Sequence, residues 1–100
     1  MRLALGTAQF GIPYGIANTS GQVDQAEVQA ILNYANLMGI DTLDTAIAYG
    51  ESEKRLGNVG VSNWKVISKL PEIPSDCKNL TKWVRSHVDK SLSRLGIKSL

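Results

Sequence analysis

The sequence predicts an α/β fold of parallel strands joined by helical crossovers, and three observations carry that prediction. Short β-branched or apolar runs alternate with segments of helical periodicity in the order strand, helix, strand, helix, strand, helix, which right-handed crossovers turn into a parallel sheet. Gly39, Pro71, Pro74 and Gly96 fall at boundaries between these segments. An acid, Asp44, and an amine, Lys69, close successive strand segments, where parallel α/β architectures carry their functional groups.

Leu3 to Thr7 is a short buried strand that breaks into a loop, because Gly6, Gly11, Pro13, Gly15 and Gly21 forbid a long regular element. The first helix follows, with Val28, Ile31, Leu32, Ala35 and Met38 at helical spacing on its buried face. Asp24 and Glu27 form a capping box at its start and Gly39 ends it. Ile40 to Thr45 is the second strand. A loop holding Tyr49 leads to a short helix, Ser52 to Leu56, with Ser52 as its N-cap. Gly57-Asn58-Val59-Gly60 lacks the lysine and spacing of a phosphate loop and reads as a turn. Trp64 to Ser68 is the third strand, and the two prolines of Pro71 to Asp76 rule out helix there. The last helix runs from Thr81 to Leu95, with Val84, Val88, Leu92 and Leu95 on one face, His87 beside it and Gly96 as its stop.

Composition narrows the function classes. With 43% hydrophobic and 20% charged residues the 100-residue chain is globular and buries one modest core as a single domain, residues 1–100. A net charge of +2, with basic residues scattered among acids, argues against nucleic acid as a partner. One cysteine, Cys77, excludes an intrachain disulfide and favours a reducing compartment. No segment approaches the roughly 18 apolar residues of a membrane span, and no export signal gives the Asn18-Thr19-Ser20 or Asn79-Leu80-Thr81 triplet a glycosylation role. The expectation is a cytoplasmic protein with no membrane partner.

The chemistry lies in Asp44, Tyr49 and Lys69. Reducing a carbonyl requires a hydride donor at carbon and a proton donor at oxygen. A phenol is a poor acid unless a cation beside it favours the phenolate, and a carboxylate keeps such a cation charged. Tyr49 is thus the candidate general acid, Lys69 its modulator and Asp44 the orienter of Lys69.

Asp44-Thr45-Ala46-Ile47-Ala48-Tyr49-Gly50-Glu51-Ser52-Glu53, with Leu56-Gly57 after it, resembles the aldo-keto reductase signature. Leu5 to Gly11 is similar to that family's first strand and loop, and Ser91 to Gly96 to the helix end before its fourth strand. The resemblance implies three βα units from the N-terminal part of a (β/α)8 TIM barrel, incomplete in this chain, with no second domain. It implies an oxidoreductase that reduces an aldehyde or ketone with NADPH, NADH being possible, and without a metal. By the same resemblance Gly6, Thr7 and Asp44 lie near the nicotinamide end of the cofactor. The family's catalytic histidine follows the fourth strand and its main cofactor-phosphate contacts come from the last strands, so residues 1–100 alone are expected to be inactive. His87, inside a helix, is not given the missing role.

Three strands leave apolar edges and one uncovered face, an expectation of self-association or of pairing with the rest of the barrel. Glu51, Glu53, Lys54 and Arg55 read as a solvated helix face, and Trp64 and Trp83 as packing residues. Two alternatives stay open: a non-catalytic cofactor-binding or regulatory barrel, and a Schiff-base lysine at Lys69.

Overall fold

A computed structural model describes residues 2–13 and 21–100; Gly15 and the Asn18-Thr19-Ser20 triplet lie outside the described residues. Strands β1 (Ala4–Gly6), β2 (Thr42–Asp44) and β3 (Lys65–Ile67) form one parallel sheet in the order β1-β2-β3. Each is shorter than its sequence segment, but the ladder continues past the strand ends. Thr7 N–H donates to the Asp44 carbonyl (3.0 Å), Thr45 N–H to that of Ile67 (2.8 Å) and Ile47 N–H to that of Lys69 (3.2 Å).

Register sorts the side chains. Leu5, Leu43 and Val66 are aligned across the sheet, and Leu43 and Val66 are buried beneath the helices. Because strand side chains alternate, the rows Ala4-Thr42-Lys65 and Gly6-Asp44-Ile67 share the opposite face. That face is uncovered, as expected, but it is not apolar: Ile67 is its one large hydrophobic side chain among these six.

Helix α1 (Gln25–Leu37) starts where Asp24 Oδ1 accepts from Glu27 N–H at 2.9 Å. It closes where Gly39 N–H donates to Asn36 and Ile40 N–H to Ala35, a Schellman arrangement that a left-handed Gly39 permits. Val28, Leu32 and Ala35 are buried as the spacing requires. Met38 is not: it lies past the last helical turn and is half exposed.

Helix α2 spans Ser52–Val59, so the expected turn at Gly57 to Val59 is helical. Helix α3 (Leu80–Leu95) is capped by Asn79, whose side chain accepts from Lys82 N–H, and ends at Gly96. Its expected apolar face is buried only at the C-terminal end. Ser91 and Leu95 are buried, whereas Val84, Val88 and Leu92 are half-buried. The reason is geometric, because α3 meets α2 near its last turn. There the Gly57 backbone lies against the Arg94 carbonyl, and a Cβ at Gly57 would stand 2.0 Å from that oxygen.

The core between sheet and helices gathers Phe10, Val28, Leu32, Leu43, Leu56, Val61, Val66 and Leu95, with Trp64 packed against it. Trp83 instead stacks on His87 (ring centroids 4.2 Å apart), whose Nδ1 contacts the Trp83 carbonyl at 2.9 Å. Cys77 is a half-buried free thiol in the loop before α3.

The start of α2 departs from expectation at two residues. Ser52 is not the N-cap, which is Glu51, because the Ser52 hydroxyl is buried and bonded to residues of the strand ends. Glu53 is not solvated: it is 2% exposed and bonds to Arg94 and Ser68.

The α2–α3 contact yields a stability prediction. Gly57→Ala overpacks a backbone-to-backbone approach and is expected to destabilise the protein by about 1–3 kcal/mol, read as a lower urea midpoint with an unchanged slope.

Candidate active site

The three strands end on one side, and the candidate residues stand there. Asp44 is the last residue of β2, Lys69 lies two residues beyond β3, and Tyr49 is in the loop between β2 and α2. Lys69 Nζ pairs with Asp44 Oδ1, donates to the Thr45 carbonyl at 3.0 Å, and reaches Tyr49 Oη at 3.4 Å. It also lies 5.0 Å from the centroid of the Tyr49 ring. The structure thus brings the three sequence-predicted side chains to one point.

An ammonium has three protons and accepts none. All three directions of Lys69 are met by acceptors, and Tyr49 Oη must accept in its contact with Lys69. The phenol's own proton is therefore left to point elsewhere. Asp44 bonded to Lys69 is the leading cause that raises the lysine above its usual 10.5; partial burial opposes this, and the Tyr49 contact adds to it. The Lys69 and Asp44 side chains are 47% and 41% exposed, so the pair stabilises the fold by about 1 kcal/mol or less. Its importance is positional.

Asp41, the other acid of this strand segment, sits at the opposite end of β2. It accepts from the Thr42 hydroxyl and pairs with Lys65 at 3.2 Å, contacts that hold its carboxyl below the usual 3.8. That end of a βα barrel serves stability.

A hydroxyl chain fixes the backbone beneath the site. Thr7 Oγ1 donates to the Asp44 carbonyl at 3.0 Å. Ser52 Oγ lies 2.9 Å from Thr7 Oγ1, 3.1 Å from the Thr7 carbonyl and 2.9 Å from Thr45 Oγ1. Each hydroxyl has one proton, so the consistent order is Thr45 to Ser52, Ser52 to Thr7, and Thr7 to the Asp44 carbonyl. All three residues are fully buried, and no buried side-chain polar atom among the described residues lacks a partner. The Tyr49 loop is set by a second contact: a Cβ at Gly11 would fall 1.5 Å from the Tyr49 carbonyl oxygen, so only glycine admits this approach.

Leu5, Gly6, Thr7, Ala8, Asp44, Tyr49 and Lys69 lie in the wall of a cleft of about 520 Å³. Gly6 leaves open space over the sheet, since a Cβ there would meet nothing within 4 Å. Thr7 also lines the cleft, with its hydroxyl turned into the Asp44 carbonyl. Among the described residues no group of three or more His, Cys, Asp and Glu is placed to hold a metal, and no helix is long and apolar enough to cross a membrane.

Sequence reasoning missed Ser52, Glu53 and Gly11. A signal existed for Glu53, because it lies three residues before Leu56 and so shares the face that Leu56 buries.

The fold and site thus define a class of parallel βα proteins with an acid, a tyrosine and a lysine gathered at the strand ends. The chain matches the model of the aldo/keto reductase family over residues 2–100 and belongs to that family. It is similar to a crystal structure of PA4992 from Pseudomonas aeruginosa, classed as an aldo-keto reductase. The two share 35% identity over 94% of this chain and 38% of that one, with a TM-score of 0.75. A second structure from the same organism, also classed as an aldo-keto reductase, shares 33% identity over 94% of this chain and 36% of that one, with a TM-score of 0.73. No curated protein matches. The chain spans 38% and 36% of the lengths of these two solved relatives, and its three βα units are part of an aldo-keto reductase barrel.

The raised Lys69 value has a testable sign. The folded value lies above the unfolded one, so the pair's contribution is complete below about pH 10.5 and is lost as pH rises through the folded value. An NMR titration of the Lys69 ε-methylene is expected to give a midpoint above 10.5. Asp44→Asn should bring that midpoint down towards the ordinary value.

Proposed function

We propose that the whole protein is a cytoplasmic, NADPH-dependent reductase of aldehydes or ketones, with NADH as a possible substitute, and that residues 1–100 are one part of its single barrel domain. The observation that carries this reading is the Lys69 ammonium, held by Asp44 and the Thr45 carbonyl beside Tyr49 Oη. In this reading Asp44, Tyr49 and Lys69 are catalytic. Gly6 and Asp44 face the nicotinamide end of the cofactor, and Thr7 contributes by holding the Asp44 carbonyl.

When bound, the reduced nicotinamide supplies the hydride that forms the new C–H bond at the carbonyl carbon. Tyr49 donates its O–H proton to the carbonyl oxygen, giving the alcohol, and is left as a phenolate. Lys69 stabilises that anion, and Asp44 keeps Lys69 charged and aimed. Tyr49 then recovers a proton from solvent. The same contacts weaken the Schiff-base reading, because an amine nucleophile must be unprotonated, whereas the pairing of Lys69 favours its cation.

The test is NADPH oxidation by the full-length protein with a panel of aldehydes. Tyr49→Phe is expected to lower kcat by about 10²- to 10⁴-fold, the range for a positioned general acid, while cofactor binding persists. Wild-type turnover in that variant would rule out Tyr49 as the acid and favour a different proton donor.

A further inference from the structure

We propose that Glu53 is a positioning residue, which ties the last turn of α3 to the exit of β3 and thereby sets where Lys69 stands. The inference rests on the reductase reading only for its consequence in catalysis; its structural part stands on the contacts themselves. Glu53 is 2% exposed, and both carboxylate oxygens are engaged. Oε1 accepts from Arg94 Nε at 2.8 Å and pairs with Arg94 Nη2 at 2.7 Å, while Oε2 accepts from Ser68 Oγ at 2.8 Å. Ser68 directly precedes Lys69.

Alternation explains why this matters. The ladder bond from Ile47 N–H to the Lys69 carbonyl shows that extended pairing persists to residue 69. Ser68 therefore turns to the helix side, as Val66 does, and Lys69 to the open side. Holding the Ser68 hydroxyl from behind fixes the peptide that aims Lys69 forward. Ser52, the residue before Glu53, reaches the exits of β1 and β2 through Thr7 and Thr45. Two successive residues at the start of α2 thus hold all three strand exits, Ser52 the first two and Glu53 the third.

Arg94 supplies the counter-charge that makes a buried carboxylate tolerable here. With the Glu53 carboxylate absent, Ser68 loses its acceptor, and the peptide before Lys69 is no longer held from the helix side, while the ladder bond at Lys69 and the bonds of its Nζ remain.

The experiment uses the full-length protein with Ser68→Ala, Ser68→Thr and Glu53→Gln. For each, it measures the Lys69 ε-methylene titration, single-turnover aldehyde reduction, the KM for NADPH and the thermal midpoint. Ser68→Ala is the gentle variant, since it removes one hydroxyl and leaves the Glu53–Arg94 pair intact. The expected result is a Lys69 titration moved to lower pH in Ser68→Ala, with restoration in Ser68→Thr, which keeps a hydroxyl. The rate of reduction should fall about tenfold to a hundredfold, as for small misplacements of a catalytic group, with the KM for NADPH unchanged. Glu53→Gln is expected to shift the titration in the same direction. Unchanged Lys69 titrations in Ser68→Ala and Glu53→Gln, with only the thermal midpoint lowered, would make Glu53 a purely structural residue and overturn the proposal. The titration is read without turnover, so a wild-type protein that reduces no aldehyde would sink the reductase reading and leave the positioning result to be judged separately.

Discussion

The site depends on one stoichiometric constraint: an ammonium group has three protons and no lone pair. Here Asp44, the Thr45 carbonyl and Tyr49 Oη meet Lys69 from the end of the neighbouring strand and the loop that follows it. That geometry leaves the tyrosine hydroxyl with a proton to give and a cation behind it. It also requires β2, β3 and the Tyr49 loop to end at matched heights, because Lys69 reaches all three acceptors from one position.

Matched heights come from packing as well as from register. The parallel pairing aligns Gly6, Asp44 and Ile67, and Leu5, Leu43 and Val66 anchor the same strands to the helices. Above that layer the ladder continues for a few bonds, and buried polar side chains join it. The Thr45, Ser52 and Thr7 hydroxyls form a buried chain that ends on the Asp44 carbonyl. Such a chain is worth having in a dry interior, where each bond polarises the next and a missing member leaves a partner unsatisfied. Gly11, by lacking a Cβ, lets the Tyr49 carbonyl pack against its backbone.

Much of this was legible in the sequence, and the reasons are local. The strand-helix rhythm, the Asp24 cap and the Gly39 and Gly96 stops are short-range signals, and they placed the three strands and three α-helices within a few residues, whereas the short 3-10 turn at Ala8–Phe10 fell in an expected loop. Asp44, Tyr49 and Lys69 were found because one motif and two strand ends coincide. What failed was set by long-range contacts. Ser52 looked like a helix cap because serine often caps, yet its hydroxyl is drawn inward by residues 7 and 45. Glu53 looked solvated because charged residues surround it, yet its partner is 41 positions away at Arg94. Gly57 looked like a turn because a glycine and an asparagine stand together, yet the α3 backbone needs its bare face.

The central claim is that Lys69 acts through Tyr49, and a double-mutant cycle on single-turnover aldehyde reduction in the full-length protein tests it most directly. Rates would be compared for wild type, Tyr49→Phe, Lys69→Met and the double variant. If Lys69 works by supporting the phenol, removing it after Tyr49 is gone costs nothing further, the non-additivity expected of groups that act as a unit. Losses that simply multiply would contradict the account, because each residue would then contribute to the reaction independently.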